Sequence, residues 1–143
     1  MSPPPFAPST CGLWRLLAIL LYDSLLLFGV IFIAHWLLLL LLGPELTGSG
    51  HPLLFLYTLL VAFLFLGGFW THGGQTLGMK AWRVKVVNLN GEPLSWSMAA
   101  MRFIAALVSW SLLGLGFLWI GVDREQRSWH DILSKTRLIR LFE

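Results

Sequence analysis

Charge is what this sequence is short of. Asp, Glu, Lys and Arg supply 12% of its 143 residues, about half the share of a typical soluble chain. Hydrophobic residues supply 57%, and the mean hydropathy is +0.75. An ordinary soluble domain is thereby excluded, and one integral membrane domain is expected. Cysteine is nearly absent as well: the single Cys11 excludes an internal disulfide and a thiolate metal cluster. Residues 1–10 contain no Lys or Arg, and the apolar run beyond them is about twice the length of a signal h-region. They read as a disordered, Pro-rich lead and not as a cleavable signal. The glycine-rich stretch Gly73 to Lys80 lacks the Gly-Lys-Ser/Thr ending of a phosphate loop. No Ser-His-Asp or Cys-His order stands out, so neither an enzyme nor a cofactor is expected. The net charge of +3 does not point to nucleic acid, because the basic residues flank apolar segments as loops at an anionic membrane face do.

What is present is a long apolar run, Leu16 to Leu42, broken only by Tyr22, Asp23, Ser24, Gly29 and His35. Roughly 20 apolar residues span a bilayer core of about 30 Å. Helix one is expected over about 13–42, stopped by Gly43-Pro44, with Trp14 and Trp36 as interface anchors. Helix two is expected over about 53–70, without a formal charge. The linker between them, Gly43 to Pro52, has turn chemistry and Glu45 as its one formal charge. A glycine-punctuated link follows from His72, and then Arg83-Val84-Lys85-Val86-Val87 alternates as a strand does, with Asn90-Gly91 as a turn. Lys80, Arg83 and Lys85 place this segment in the cytoplasm by the positive-inside rule, which puts the N-terminus there too.

The third apolar region, about 97–122, is long enough to cross once. A single crossing would carry Arg124, Arg127, Lys135, Arg137 and Arg140 outside, against the charge rule. Gly114, Gly116 and Gly121 allow a break and a return, and irregular backbone at that depth is tolerated where protein covers it. Residues 136–141 alternate loosely and could pair with 83–87, which requires both strands on one side. The favoured fold class is therefore an all-α membrane protein: two long transmembrane helices, a third apolar helix or re-entrant hairpin, and a small cytoplasmic β-hairpin-like element joining 83–87 to 136–141. Three crossings are the alternative. Residues 11–143 form one domain.

Asp23 lies about seven residues inside the apolar boundary, roughly 10 Å along a helix. A carboxylate there costs about 2.5 to 3.5 kcal/mol on insertion scales unless it is paired or neutralised. Arg102 is the other charge inside an apolar segment, on a helical face with Ala99, Ala106 and Ser109. Two arrangements are open: a direct Asp23–Arg102 pair, or Arg102 snorkelling to the interface while Asp23 meets a hydroxyl or backbone group. Arg15, eight residues from Asp23 and about 12 Å along the axis, is too far for direct pairing within one straight helix. Asp123 reads as the end of the preceding segment beside Arg124, and Asp131 as a cap for a short helix through Ile132-Leu133. His72, His130, Asp123 and Asp131 match no metal-ligand spacing, and His35 reads as a polar residue near the outer end of helix one.

These motifs together resemble the RDD family of small bacterial membrane proteins, named for one arginine and two aspartates. Trp14-Arg15-Leu16-Leu17-Ala18 with Tyr22-Asp23 is similar to the family's opening. Gly74-Gln75-Thr76-Leu77-Gly78 with Lys80, followed by Arg83-Val84-Lys85-Val86-Val87 and Gly91, is similar to its Gly-Gln-Thr-Leu-Gly-Lys link and strand. Met79 precedes Lys80 where the family has Lys directly after Gly. Gly116-Phe117-Leu118-Trp119 through Asp123, then Trp129-His130-Asp131, resembles the closing motif, with either Asp123 or Asp131 as the second aspartate.

The resemblance implies a multi-pass protein of the bacterial inner membrane. It also implies suggested transport roles, with some members linked to cation/proton exchange. Two functions follow as expectations. In one, Asp23 is a protonatable or cation-binding site tuned by Arg15 and Arg102. In the other, a non-catalytic assembly or accessory protein uses its buried charges structurally. Besides the lipid bilayer, a second copy or a membrane-protein partner is expected, because two or three helices are few to enclose a path.

Overall fold

The computed structural model describes residues 11–45 and 50–141. The lead at 1–10 lies outside the described residues. The chain is mostly helical. Helix α1 spans Leu13–Leu42 and ends at Gly43, whose φ of 76° turns the backbone before Pro44. Helix α2 spans Pro52–Thr71, with Pro52 at its first position, where no amide proton is needed. Both are long and apolar enough to cross a membrane. Within the spans they are fastened by two polar contacts. The Tyr57 hydroxyl donates to the Ala34 carbonyl at 3.0 Å, and Thr58 Oγ1 lies 3.1 Å from His35 Nε2. His35 is thus a half-buried staple between the helices.

That staple sets the depth of Asp23. The helices run antiparallel, so twelve residues back along α1 from His35 match twelve residues forward along α2 from Thr58. Asp23 is therefore level with Trp70, in the last turn of α2. The 30 residues of α1 measure about 45 Å, more than the bilayer core needs. Its first third projects beyond the end of α2. Only Leu16, Ile19 and Asp23 of α1 are buried, a single stripe confined to that third. Farther along, Phe28, Phe32 and Leu40 face outward. Asp23 thus stands beside the last turn of α2.

Around the projecting third the rest of the chain builds a cap. It contains α3 (Leu77–Ala81), β1 (Val84–Asn88), α4 (Trp96–Ser111), α5 (Leu115–Leu118), a 3₁₀ turn (Trp119–Gly121), α6 (Trp129–Leu133) and β2 (Thr136–Arg140). One apolar cluster joins Cys11 and Ile19 to Trp70, Met79, Val84, Val86, Leu94 and Ala99; another joins Leu16 to Phe117 and Ile120. The strands pair antiparallel, Val84 with Arg140 through Asn88 with Thr136, one residue later on the first strand than the pattern suggests. Because β1 and β2 are hydrogen-bonded to each other, the chain enters and leaves the third apolar region on one face. That region bends by 106° between α4 and the segment beginning at α5. Leu113 and Gly114, with φ of 58° and 77°, make the bend.

Helix α4 packs along the second half of α2, with Phe63 against Trp96 and Phe103. Its first residue, Trp96, packs on α2, where a Cβ at Gly67 would come within 3.1 Å of the indole. Its last turn presents Ser109 to Gly116, where an added Cβ would fall 2.8 Å from the Ser109 Cβ and 2.9 Å from Trp129. The buried residues of α4 are Ala99, Arg102, Ala105 and Ser109, so small side chains flank one arginine.

The cap contains a structural repeat with a period of 52 residues. Thr76 opens α3, Trp82 closes it, Arg83 takes a left-handed φ of 54°, and β1 follows. Ser128 opens α6, Ser134 closes it, Lys135 takes a φ of 53°, and β2 follows. The strand pairing obeys the same relation, so an approximate two-fold axis passes through the Val86–Leu138 pair. A basic residue occupies the left-handed position in both copies, where glycine is usual.

Candidate functional site

Four residues of the glycine-rich link, Gly74, Gln75, Thr76 and Gly78, each have a mechanical task. Gly74, with φ of 71°, offers its carbonyl to the Val86 amide at 2.7 Å. The Gln75 side chain donates to the Val84 carbonyl at 2.8 Å. Thr76 accepts from the Met79 amide at 3.2 Å as the cap of α3, and its hydroxyl donates to Asp23 Oδ2. The Gly78 amide donates to Asp23 Oδ1 at 2.8 Å. Gly78 has to lack a side chain, since a Cβ there would lie 2.8 Å from Asp23 Oδ1 and 3.0 Å from the Ile19 carbonyl. Asp23 thus clasps the start of α3 onto α1. A buried carboxylate with two donors is far less costly than a bare one.

Arg102 is 2% exposed and is held elsewhere. One guanidinium nitrogen donates to Asp131 Oδ1 and, at 2.9 Å, to Thr136 Oγ1. The guanidinium carbon stands 5.2 Å from the centre of the Trp70 ring, a cation–π geometry. The direct Asp23–Arg102 pair is therefore not formed, nor does Arg102 snorkel. Asp23 does meet a hydroxyl and a backbone group. The acid that Arg102 finds comes from α6, a partner 29 residues away. Arg15 is half-buried beside Cys11, two turns of α1 from Asp23, and does not touch it.

Asp131 also does the capping its residue type suggests. Its Oδ2 accepts from the Ser128 amide at 3.1 Å and the Ser128 hydroxyl at 2.6 Å. With that hydroxyl proton committed, His130 Nε2, 3.0 Å from Ser128 Oγ, is the donor. His130 Nδ1 is then a buried, unpartnered acceptor. Burial first, and the Arg102 charge second, push the His130 pKa down to about 3, so the ring is neutral. Burial works against the Asp131 charge, but the Arg102 charge and the hydrogen bonds from Ser128 and Arg102 hold its carboxyl below the usual range. Asp123 is different. It is half-buried, and its carboxylate accepts from Arg127 Nε at 3.1 Å and from the Arg127 amide at 2.9 Å. Of the two candidate aspartates, Asp131 is the buried one.

Two cavities flank the cap. A groove of about 470 Å³ lies along α2 and is lined by Leu64, Phe65, Phe69, His72, Gln75 and Lys80, among others. A second cavity, of about 450 Å³, lies under residues 124–127 and against α6 and β2. The 52-residue repeat relates them: His72, Gly73, Gln75 and Lys80 correspond to Arg124, Glu125, Arg127 and Ile132. Neither cavity is lined by Asp23.

The profile of the RDD family matches residues 11–135. The chain belongs to the RDD family. Both buried clasps of this RDD protein, Asp23 with Thr76 and Gly78, and Arg102 with Asp131, fall inside the matched stretch. A curated relative, the uncharacterized protein YxaI of Bacillus subtilis (strain 168), is 38% identical over 64 residues. That alignment covers 45% of this RDD chain and 42% of YxaI, so the chain spans less than half of the relative it matches. No solved structure gives a significant match. Sequence reasoning missed α3 and the Thr76–Asp23 bond. A hydroxyl residue ahead of Leu77 was the available signal, masked by glycines on both sides.

Proposed function

We propose that this RDD protein is a non-catalytic assembly or accessory protein of the bacterial inner membrane, anchored by α1 and α2 and presenting its cap to the cytoplasm. The observation that carries the reading is that both charges expected to do chemistry are enclosed in bonds that hold the cap together. Asp23 fastens α3 to α1, and Arg102 fastens α4 to α6 and β2. All ten Lys and Arg residues fall on the cap side of the spans, and residues 43–52 have none, which supports a cytoplasmic cap with both chain ends on that side. The outward apolar faces of α1 and α2 suit lipid, a second copy, or a membrane-protein partner.

Cation or proton transport through Asp23 is the competing reading. It needs a wet path to that carboxylate, and neither cavity supplies one. The two readings separate in proteoliposomes. The accessory reading expects no sodium- or pH-driven flux from the parent protein, while Asp23→Asn lowers thermal stability and opens the cap to protease. Flux in the parent that disappears in a normally folded Asp23→Asn variant would overturn it.

A further inference from the structure

The cavity against α6 and β2 is strongly charged. Arg124, Arg127, Lys135 and Arg137 line it, together with the carboxylates Glu125 and Asp131. Those acids are already matched. Asp131 is paired with Arg102, and Glu125 lies 3.2 Å from Arg127, which also holds Asp123. Among the described residues no carboxylate lies within ion-pair distance of Arg124, Lys135 or Arg137. The Arg137 Nε is buried without a hydrogen-bond partner. Three cations thus surround one concavity with a surplus greater than one carboxylate could neutralise.

The backbone is strained at the same place. Gln126, a lining residue, takes a left-handed φ of 52° without being glycine, whereas the φ of 53° at Lys135 is the helix stop that it shares with Arg83. Non-glycine residues in that region cost free energy and gather where function requires a direction. The remaining wall is apolar, made by Leu89, Ile132, Leu138 and Ile139. The volume, about 450 Å³, is that of a small-molecule site. The related groove on α2 has His72 and Gln75 where this cavity has Arg124 and Arg127, and Lys80 is the one Lys or Arg in its lining, so the cluster of cations belongs to one copy of the repeat.

We propose that this cavity binds a phosphate-bearing anion, with Arg124, Lys135 and Arg137 around the phosphate and its organic part against the apolar wall. Guanidinium forks match phosphate oxygens two at a time, and a doubly charged phosphate meets the surplus that a single carboxylate leaves. The site goes beyond the accessory reading and does not depend on it. The phosphate belongs either to a soluble ester or to a lipid headgroup, and the test separates these.

The full chain is placed in phosphatidylcholine nanodiscs and titrated calorimetrically with inorganic pyrophosphate. In parallel, thermal unfolding is compared in nanodiscs with and without phosphatidic acid. Saturable pyrophosphate binding supports a soluble source, and a higher midpoint with phosphatidic acid supports a headgroup. In either arm, Arg137→Gln combined with Lys135→Gln should weaken binding by ~10-fold or more, and Lys80→Gln combined with Lys85→Gln, an equal charge loss elsewhere on the cap, should leave it within about twofold of the parent. A single Arg124→Gln variant repeats the measurement should the double variant not fold. No binding in either arm overturns the proposal. So does binding that falls equally in the Lys80→Gln/Lys85→Gln double variant, because that would be attraction to the cap's net charge.

Discussion

Removing the Arg102 charge should destabilise the cap more than removing the pair. In Arg102→Met the side-chain volume is nearly kept, but Asp131 is left buried with no cation and Thr136 loses a donor. Breaking one side of a buried pair costs about 3–5 kcal/mol. The contact with the Trp70 ring, 5.2 Å from the guanidinium, adds about 1 kcal/mol when desolvated. The methionine's own apolar burial offsets part of this. A net loss of ~3–4 kcal/mol corresponds to a midpoint lowered by roughly 10–15 °C for a chain of this size. Arg102→Lys keeps the charge but not the fork and should fall between parent and Met. Asp131→Asn alone leaves the guanidinium unpaired and should cost a similar amount. The Arg102→Met/Asp131→Asn double variant should recover at least ~2 kcal/mol relative to the sum of the singles, because neither charge then remains. Thermal unfolding of the four proteins in one detergent closes the cycle. Additive losses, or an Arg102→Met midpoint within about 3 °C of the parent, would refute the buried-pair reasoning.

Gly78→Ala sets two effects against each other. Helix propensity favours alanine by about 1 kcal/mol. Against it stand overpacking on Asp23 and the Ile19 carbonyl, about 1–3 kcal/mol, and a strained amide–carboxylate bond worth about 1.5–3 kcal/mol. The expected result is a net loss of ~2–4 kcal/mol, read by thermal unfolding; a stabilised variant would contradict the close approach. The pH dependence has a definite sign. His130, held down to about 3, stays neutral in the fold where the unfolded chain takes up a proton below its ordinary 6.5. Stability therefore falls as pH drops from 6.5 toward 3, by ~2 kcal/mol at pH 5. Asp131, lowered from 3.8, has its stabilising contribution above that value and loses it as pH falls further. His130→Gln should flatten the slope between pH 7 and 5 and leave the decline below pH 4; an unchanged upper slope would contradict it. Burial pushes the Cys11 thiol up to about 11, so maleimide labelling at neutral pH should be at least ~10-fold slower than for an exposed cysteine, and rapid labelling of the folded protein would contradict its place in the core.

The spans, the same-side strand pairing and the bend were legible because each rests on local pattern: uninterrupted apolar length, alternation, and a cluster of glycines at 114, 116 and 121. The need of Asp23 and Arg102 for partners was also legible, from the cost of bare charge in lipid. Their actual partners were not, because Thr76 and Asp131 reach them across 53 and 29 residues of chain. Where Asp23 stands along α2 was not legible either; the Tyr57–Ala34 and His35–Thr58 contacts set it. Helix α3 was hidden by Gly74 and Gly78, each required by a close approach and each reading locally as a loop. The ends of α3 and α6 carry Arg83 and Lys135 where glycine would have marked the stop. The repeat itself is written faintly, in Thr76 and Ser128, Arg83 and Lys135, and Lys85 and Arg137.

The amide of Gly78 tests the Asp23 clasp most directly. As the second residue of α3 it has no carbonyl partner within the helix, so its protection from hydrogen exchange has to come from Asp23 Oδ1. Exchange measured on the full chain in nanodiscs should show slow exchange at Gly78 in the parent and an acceleration of at least ~10-fold in Asp23→Ala, with the amides in the middle of α2 unchanged. Fast exchange in the parent, or protection that survives the loss of the carboxylate, would contradict the account.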